Sequence, residues 1–327
     1  MRHRRSTVYH IDLLGNKGAH LCEMTRLGLP VPVGFILSTE ACKEFFANKK
    51  TTALSEDLLE DVKKAVHELE LNTNKVFFSG AASGPLDIPL LLSVRSGAPV
   101  SMPGMMNTVL NVGMNEAIVE KMGRLVNNRK WAYDTYRRFL QMFGEVVLGM
   151  HPSLYEDILS FAKKKRGLQH ESEFNEVELK YVVDEFKKVI FIPEDPWTQL
   201  VMCIEAIFMS WNAPRAIKYR DLNDIPDDLG TGAIVQTMVF GNLNDCSGSG
   251  VAFSRNPATG EKGIYGEYLP NAEGEDVVSG IRNPLQLAEL RQDQTSVFDA
   301  LEQAMIDLET HYRDMQVCSS KCLCFMY

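Results

Sequence analysis

The sequence predicts an α+β fold, in which helices and strands occupy separate parts of the chain. Apolar residues recur at helical spacing through most of residues 111–196. Short apolar runs separated by Gly, Asn and Asp turns dominate residues 233–269. Strict alternation of strands with helices would instead have indicated a doubly wound parallel sheet. The segregated pattern therefore favours the α+β class, with the middle of the chain as a helical insertion.

The composition is that of a globular chain of 327 residues, with 45% hydrophobic and 24% charged side chains. This length allows two or three subdomains with their own cores. The net charge of −9 and the lack of a basic stripe argue against nucleic acid as a partner. No apolar run reaches the length needed to span a membrane, so no membrane partner is expected either. Four of the seven cysteines are scattered among apolar neighbours, which is typical of reduced thiols in a cytosolic-type compartment.

The first third of the chain contains expected elements of both kinds. A helix is expected over residues 13–28 and ends at a Gly-Leu-Pro signal. A strand over residues 31–38 follows, and Thr39 is expected to cap the next helix. Residues 55–69 carry apolar side chains on one helical face, and residues 88–94 form a short buried strand.

The remaining elements are predicted from the same periodicities. One helix is expected to run as far as Gly149, and Asn175 is placed to cap another. Three strands are expected in the last third, with the sequences AIVQTMVFG, GSGVAFSRN and GIYGEYL. A final helix has an apolar face that extends from Phe298 to Tyr312.

The most informative stretch is LLLSVRSGAPVSMPGMMNT, which covers residues 90–108. Arg95 lies where an apolar run ends, and its guanidinium can grip a phosphate through two hydrogen bonds. The small residues that follow offer backbone amides and hydroxyls suited to cradling phosphate oxygens. These residues are Ser96, Gly97, Ser101 and Gly104. The alternative is a surface loop with a solvated arginine, because the spacing fits no P-loop signature.

A second cation, Lys17, lies between Gly15 and Gly18 at the expected start of a helix. There a lysine can reach an anion held at the helix N-terminus. A solvent-facing lysine near a helix cap is the simpler interpretation when this segment is taken alone. The segments around Lys17 and Arg95 both combine a cation with glycines. The presence of each one therefore makes phosphate binding by the other a stronger interpretation.

Three further segments could contact a ligand, although each also has an ordinary structural interpretation. Gly248–Gly250 could be a turn that folds over a ligand, or a plain hairpin loop. Glu275 and Asp276 could hold ribose hydroxyls or magnesium, or could form a solvated acidic turn. Gln236 and Met238 could present backbone groups to an adenine edge, as the residues of any buried strand could.

Together these segments resemble the nucleotide-binding domain of the pyruvate, phosphate dikinases, which are ATP-grasp enzymes. The matching stretches, in family order, are LLGNKGAHLCEMTRLGLPVPVGF, LLSVRSGAPVSMPGMMNTVLNVGMN, YDTYRRFLQMFG, WNAPRAIKYR, VQTMVFGN, GSGVAFSRNPATGEKGIYGEYL and NAEGEDVVSGIRNP. Long motifs at consistent spacing are far more specific than one glycine motif. The resemblance implies an ATP-grasp fold with four parts along the chain. These parts are a first lobe (1–110 and 197–240), a helical insertion (111–196), a second, incomplete lobe (241–316) and a divergent Cys-rich tail (317–327).

The resemblance also implies roles for individual residues. Lys17 and Arg95 match cations that face the phosphates of ATP, and the loop through Ser101 and Gly104 closes over them. Arg138 matches an arginine in the phosphate region. Further nucleotide contacts are implied at the adenine hinge, the covering turn and the nucleoside. These contacts are Gln236, Met238, Val239, Gly248, Ser249, Gly250, Glu275 and Asp276.

The chemistry implied by the resemblance is a phosphoryl transfer in several steps. A histidine on a separate swivelling domain attacks the β-phosphorus of ATP, and phosphate takes the γ group to leave pyrophosphate. A third domain passes the phosphoryl group to pyruvate, which gives phosphoenolpyruvate. The implied ligands are ATP, phosphate and magnesium, and the implied partner is the phosphohistidine domain, which docks near Arg215 and Glu267. The ATP domain itself must position the triphosphate and neutralise its charge.

The resemblance ends at Gln316. The family continues with a strand whose two carboxylates bind the metal, but these positions are Val317 and Ser319 here, so no metal ligand is expected. The tail VCSSKCLCFMY indicates a reading frame that leaves the family sequence after Gln316. Without the phosphohistidine and pyruvate domains, the chain is expected to bind ATP without turnover. The location implied by relatives is the cytosol, a plastid or a peroxisome-like organelle.

Two alternatives to this function stay open. The chain could be a non-catalytic nucleotide-binding or docking module that competes for a partner's phosphocarrier domain. It could also belong to a related dikinase of the phosphoenolpyruvate synthase type. The stretches SMPGMMNT and GEDVVSGIRNP favour the phosphate-using family over that related one.

Overall fold

The chain folds into two compact units of the predicted α+β class. The computed structural model describes residues 4–47, 53–77, 88–278 and 282–322. The larger unit consists of residues 1–26 and 30–238, and the smaller unit consists of residues 27–29 and 239–327. Among the described residues, each unit contains one antiparallel sheet with helices packed against it. No helix in this part of the chain is long and apolar enough to cross a membrane.

The sheet of the larger unit has four antiparallel strands in the order β1-β4-β2-β3. They are β1 (Gly34–Leu37), β2 (Leu92–Gly97), β3 (Thr108–Val112) and β4 (Gly232–Thr237). The two central strands, β2 and β4, are buried along almost their whole length. Apolar residues therefore dominate these two strands, and a charged residue in either one is conspicuous.

Helices cover this sheet and form the predicted insertion between β3 and β4. The helices before the insertion are α1 (Arg4–Arg26), α2 (Thr39–Ala47) and α3 (Glu56–Thr73). Those of the insertion and its return to the sheet are α4 (Glu116–Leu125), α5 (Arg129–Val146), α6 (Ser153–Arg166), α7 (Glu176–Val189), α8 (Pro196–Ser210) and α9 (Pro214–Leu222). α5 packs against α4, α7 and β3, while α8 packs against β2, β3 and β4. The insertion is therefore joined to the sheet chiefly through α5 and α8.

Two of the helix starts test the caps that the sequence predicts. Asn175 accepts hydrogen bonds from the backbone N–H groups two and three residues on, and Glu178 accepts one from Asn175. This capping box confirms the predicted cap. The cap predicted at Thr39 is wrong, because Ser38 accepts the hydrogen bond from the first turn of α2. Thr39 is already helical, and its hydroxyl donates to the carbonyl oxygen of Asp12 at 2.7 Å.

Helix α1 is interrupted at Gly15, where the backbone passes close to the end of β2. The angles at Gly15 are φ 71° and ψ 163°, a combination open essentially to glycine alone. A Cβ atom at this position would lie 1.5 Å from the carbonyl oxygen of Gly97. The next amide, that of Asn16, donates to the carbonyl oxygen of Ala98 at 2.9 Å. The second half of α1 therefore begins directly against the end of β2.

The smaller unit has four antiparallel strands in the order β7-β6-β5-β8. They are β5 (Gly248–Arg255), β6 (Lys262–Pro270), β7 (Leu285–Gln286) and β8 (Val317–Cys322). Its helices are α10 (Gly274–Val278), α11 (Leu287–Asp293) and α12 (Thr295–Tyr312), of which α12 is the predicted final helix. Strand β8 comes from the tail that departs from the family pattern, and residues 323–327 of that tail lie outside the described part. The first six residues of the tail thus complete the sheet.

Replacing Gly15 by alanine is expected to destabilise the larger unit by roughly 3 kcal/mol, because the substitution combines backbone strain with overpacking against Gly97. The measurement is chemical denaturation followed by circular dichroism. Gly149→Ala is the matched control, since Gly149 also has a positive φ of 66° but has open space around it. The control is expected to cost about 1 kcal/mol. Equal losses in the two variants would contradict the close contact at Gly15.

Candidate functional site

The larger unit brings Lys17 and Arg95 close together. Arg95 lies on β2, opposite Thr108 of β3 and Ile234 of β4. Lys17 lies in the first turn after the break in α1. Burial and the nearby guanidinium of Arg95 together lower the pKa of Lys17 below its ordinary value. Two like charges that lie this near each other repel, and together they attract an anion.

Backbone contacts, rather than side-chain packing, set the position of this pair. Gly15 lies against Gly97, and the amide of Asn16 bonds to Ala98, so the start of a helix is fixed against the end of a strand. Arg95 lies two residues before Gly97 on that strand. The N-terminal end of a helix also carries a partial positive charge. Both side chains and the helix end therefore favour negative charge at the same place.

The loop Ala98–Asn107 follows Arg95 and exposes its smallest residues. A backbone hydrogen bond of 3.1 Å from Met105 to Met102 closes a turn centred on Pro103-Gly104. The glycine has a φ of 73°, and proline followed by a left-handed glycine is typical of a type II turn. Ser101 and the centre of the turn are exposed. This part of the loop can therefore approach a ligand.

Two of the backbone amides expected to cradle phosphate are already used within the fold. The amide of Ser96 donates to the carbonyl oxygen of Asn107 at 3.3 Å. The amide of Gly97 donates to the hydroxyl of Thr231 at 3.2 Å. Strand β2 continues to Gly97, so its pairing takes up these donors. A phosphate contact by the exposed Ser101 and Gly104 stays a prediction.

The residues predicted to hold an adenine edge are largely committed to the sheet. Gln236 lies between β1 and β2 and pairs with both. Its side-chain amide donates to the carbonyl oxygen of Pro32 at 2.8 Å. The backbone amide of Met238 donates to the carbonyl oxygen of Leu91 at 2.9 Å. An adenine contact at Gln236 or Met238 stays a prediction, but these particular donors already have partners.

The segment Gly248–Gly250 forms the beginning of β5, in agreement with the predicted strand GSGVAFSRN and not with the turn that was also considered for it. β5 pairs with β6 on one side and with β8 on the other. Ser249 is buried, and its hydroxyl donates to the carbonyl oxygen of Ala272 at 2.7 Å. The turn lies earlier in the chain, over residues 241–246. A nucleotide contact by this segment stays a prediction, and such a contact would be made by a strand.

The predicted acidic residues Glu275 and Asp276 lie on the short helix α10. The carboxylate of Asp276 accepts a hydrogen bond of 2.9 Å from the backbone amide of Glu273. Asp276 therefore helps to begin this helix, as the acidic member of a capping box does. A nucleoside contact by Glu275 or Asp276 stays a prediction.

A buried ion pair in the smaller unit was missed by the sequence reasoning. The ammonium group of Lys321, on β8, pairs with the carboxylate of Glu273. It also donates to the carbonyl oxygen of Val239 at 3.0 Å. The backbone amide of Gly241 completes the cluster by donating to Glu273 at 3.2 Å. The carbonyl oxygen of Val239, a residue predicted to hold adenine, is therefore already occupied by Lys321.

Arg138, predicted to lie near phosphate, is held within the helical insertion. Its Nε atom donates to Asp134 at 2.9 Å, one turn earlier on α5. Arg137 shares the same carboxylate. Burial alone would raise the pKa of Asp134, but the two guanidinium groups outweigh burial and hold that pKa well below its ordinary value. A phosphate contact by Arg138 stays a prediction.

The two predicted docking residues belong to different units. Arg215 lies on α9, and its guanidinium donates to the side-chain oxygen of Asn107 at the end of the exposed loop. Glu267 lies on β6 and accepts a hydrogen bond of 3.4 Å from Gln286. Arg215 therefore has an observed role in the larger unit, which is to hold the exit of the loop.

The residues at the implied metal positions do not fit a magnesium ion. Val317 and Ser319 lie on β8 and supply one alkyl group and one hydroxyl, whereas Mg²⁺ prefers carboxylate and phosphate oxygens in octahedral geometry. Across the described ranges, no group of three or more His, Cys, Asp and Glu side chains could hold a metal ion.

Comparison with known proteins identifies the class. Two antiparallel units with a helical insertion are consistent with an ATP-grasp nucleotide-binding domain, as the sequence predicted. The sequence profile described as the pyruvate phosphate dikinase AMP/ATP-binding domain matches residues 11–77 and 52–316. This chain belongs to that family of AMP/ATP-binding domains.

Three relatives show how much of the longer enzymes is matched. The chain is 45% identical over 312 residues to the pyruvate, phosphate dikinase of Clostridium symbiosum, covering 93% of this chain and 35% of the relative. It is 44% identical over 323 residues to that of Rhizobium meliloti (strain 1021), with the same two coverages. It is 46% identical over 310 residues to the chloroplastic enzyme of Mesembryanthemum crystallinum, covering 93% of this chain and 32% of the relative. The chain thus spans about a third of the length of these relatives.

Replacing Arg95 by methionine is expected to raise the pKa of Lys17 toward its ordinary value, because one of the two causes of the lowered pKa is removed. The measurement is an NMR titration of the lysine side chains. Lys75 is the internal control, since burial alone lowers its pKa. An unchanged pKa of Lys17, or an equal change at Lys75, would show that Arg95 and Lys17 do not interact.

Replacing Lys321 by methionine is expected to cost about 3 kcal/mol of stability, because the substitution leaves the buried carboxylate of Glu273 without its cation. The measurement is urea denaturation of the whole chain, monitored by fluorescence and circular dichroism. Lys187→Met is the matched control, since Lys187 pairs with the exposed Glu116 and is expected to contribute less than about 1 kcal/mol. A loss at Lys321 no larger than that of the control would contradict a buried pair.

Proposed function

We propose that this chain is the ATP-binding part of a pyruvate, phosphate dikinase, which converts ATP, phosphate and pyruvate to AMP, pyrophosphate and phosphoenolpyruvate. The observation that carries the proposal is the proximity of Lys17 and Arg95 beside an exposed small-residue loop. Family membership supports a nucleotide as the ligand. The paired cations support binding of its phosphates by the larger unit.

The two cations have complementary tasks in this proposal. Arg95 presents a planar fork that suits two oxygens of one phosphate, and Lys17 supplies a compact charge. Because Arg95 is partly buried on β2, its interaction with phosphate is stronger than that of a fully exposed cation. Ser101 and Gly104 close over the phosphates through their exposed backbone and hydroxyl groups, and Arg138 adds charge to the same region. Phosphoryl transfer asks a protein chiefly for positioning and charge neutralisation, and these groups supply both.

The later steps are proposed to need other domains of the longer relatives. The phosphohistidine domain would accept the phosphoryl group and would dock near Arg215 and Glu267. This chain by itself is proposed to bind ATP without turnover. The proposed locations are the cytosol, a plastid or a peroxisome-like organelle, and the Mesembryanthemum relative is described as chloroplastic.

A second candidate function is a non-catalytic nucleotide-binding or docking module. The observation in its favour is that Val317 and Ser319 offer no carboxylate for magnesium, which the family is expected to use with ATP. In that case the chain would hold nucleotide or a partner domain, and Arg215 and Glu267 would matter more than Arg95.

The test is a calorimetric titration of ATP into the purified chain, with and without magnesium. Arg95→Ala is expected to weaken binding about tenfold or more, since a hydrogen-bonded charge is lost. Arg26→Ala is the matched control, because Arg26 is 66% exposed and pairs only locally with Glu23. The control is expected to bind like the unmodified chain. Absence of binding, or equal affinity in all three proteins, would overturn the phosphate site.

A further inference from the structure

The loop Ala98–Asn107 packs against Trp211, whose indole lies under the guanidinium of the buried Arg220. We propose that Arg220 is a positioning residue that holds this loop, through Trp211, in the shape that binds phosphate. The proposal rests on the nucleotide function proposed above. Arg220 itself is not expected to touch the nucleotide, since its side chain is 1% exposed and directed at Trp211 and Asp227.

Arg220, Trp211 and Asp227 form one closed arrangement. The Nε atom of Arg220 donates to the carboxylate of Asp227 at 2.7 Å, and another guanidinium nitrogen donates to the carbonyl oxygen of Trp211. The guanidinium carbon lies 4.2 Å from the centre of the Trp211 ring. The indole nitrogen of Trp211 donates to the carbonyl oxygen of Asp227 at 2.9 Å. Each of the three residues is therefore fixed by the other two.

The indole of Trp211 in turn supports the apolar side of the loop. Ala98 and Met102 belong to the same buried cluster as Trp211 and Ala216. Met105 and Met106 pack against that cluster from the loop. Methionine side chains are flexible, so their arrangement depends on the rigidity of the surface beneath them. A fixed indole therefore gives the loop a defined resting position.

The two ends of the loop are held separately. The carbonyl oxygen of Ala98 accepts the amide of Asn16 at 2.9 Å, and Asn107 accepts a hydrogen bond from Arg215. Between these ends, the loop touches the protein through its methionines and exposes the turn at Pro103-Gly104. The shape of the exposed turn therefore depends on the cluster that Arg220 stabilises.

Burying an arginine in this space costs desolvation free energy, which an apolar side chain of the same size would not cost. Burying a guanidinium requires an ionic partner and hydrogen bonds, and an apolar residue of similar volume is often as stable. What the guanidinium adds is orientation, because it stacks on the indole and binds two backbone or side-chain oxygens at once. Orientation of Trp211 is the property that the loop needs.

The matched control is Arg137, which is also nearly buried in the larger unit, at 3% exposure. It pairs with Asp134 and Glu171 in the helical insertion. Arg220→Met and Arg137→Met therefore both remove a buried, ion-paired guanidinium. Arg220→Lys serves as the conservative variant, because lysine keeps the charge and loses the planar stacking group.

The experiment measures amide hydrogen exchange of residues 98–107 in the whole chain without nucleotide, and ATP affinity by calorimetry. Both methionine variants are expected to be less stable. Arg220→Met alone is expected to speed exchange at Met105, whose amide closes the turn, by about tenfold. It alone is expected to weaken ATP binding by about tenfold. Arg220→Lys is expected to give intermediate values in both measurements.

Loop exchange and ATP affinity like those of Arg137→Met would overturn the proposal and leave Arg220 a purely stabilising residue. If Arg220→Met does not fold, Asp227→Asn takes its place, since it removes only an exposed charge that orients Arg220. Unchanged loop exchange in that variant would also overturn the proposal. If the unmodified chain binds no ATP, the proposed function fails, while the exchange data still decide whether Arg220 holds the loop.

Discussion

The close contact between Gly15 and the end of β2 is the constraint on which the candidate site depends. It places the start of a helix against the end of a buried strand, with a gap too small for any side chain. The contact brings Lys17 and Arg95 together even though their charges repel, and burial, followed by this repulsion, lowers the pKa of Lys17. The backbone hydrogen bonds of the sheet offset the free-energy cost of this repulsion, and they form whether or not a ligand is bound. The site is therefore organised before a ligand arrives.

Periodicity and capping chemistry were enough to predict the fold class and many of its elements. The cap at Asn175 and the apolar face of the last helix are local features, and the structure confirms both. The cap was predicted at Thr39 and lies at Ser38, because two adjacent hydroxyl residues at a helix start have the same signature. Gly248–Gly250 was open to both a strand and a turn because glycine-rich composition is a local signal, whereas its pairing with β8 joins residues about 70 positions apart.

Some residues of the candidate site were predictable from the sequence, and others were not. The two cations stood out because each one lies beside small residues or glycines that leave room for a phosphate, and the two segments together outweighed the ordinary interpretation of either one. The sequence could not show that the amides of Ser96 and Gly97 are already hydrogen-bonded and so not free for phosphate. Their acceptors, on Asn107 and Thr231, lie in other segments of the chain. Lys321 was missed for the same reason, because its partners Val239 and Glu273 lie about 50 to 80 residues earlier.

The crowding of Lys17 against Arg95 has a practical consequence for work with this protein. Two neighbouring positive groups attract small, doubly charged anions as well as a nucleotide. If the proposed phosphate site is real, sulfate or inorganic phosphate in a purification buffer would compete for it. Affinities measured in such buffers would be underestimated, and protein prepared in them would carry hidden occupants into every later assay.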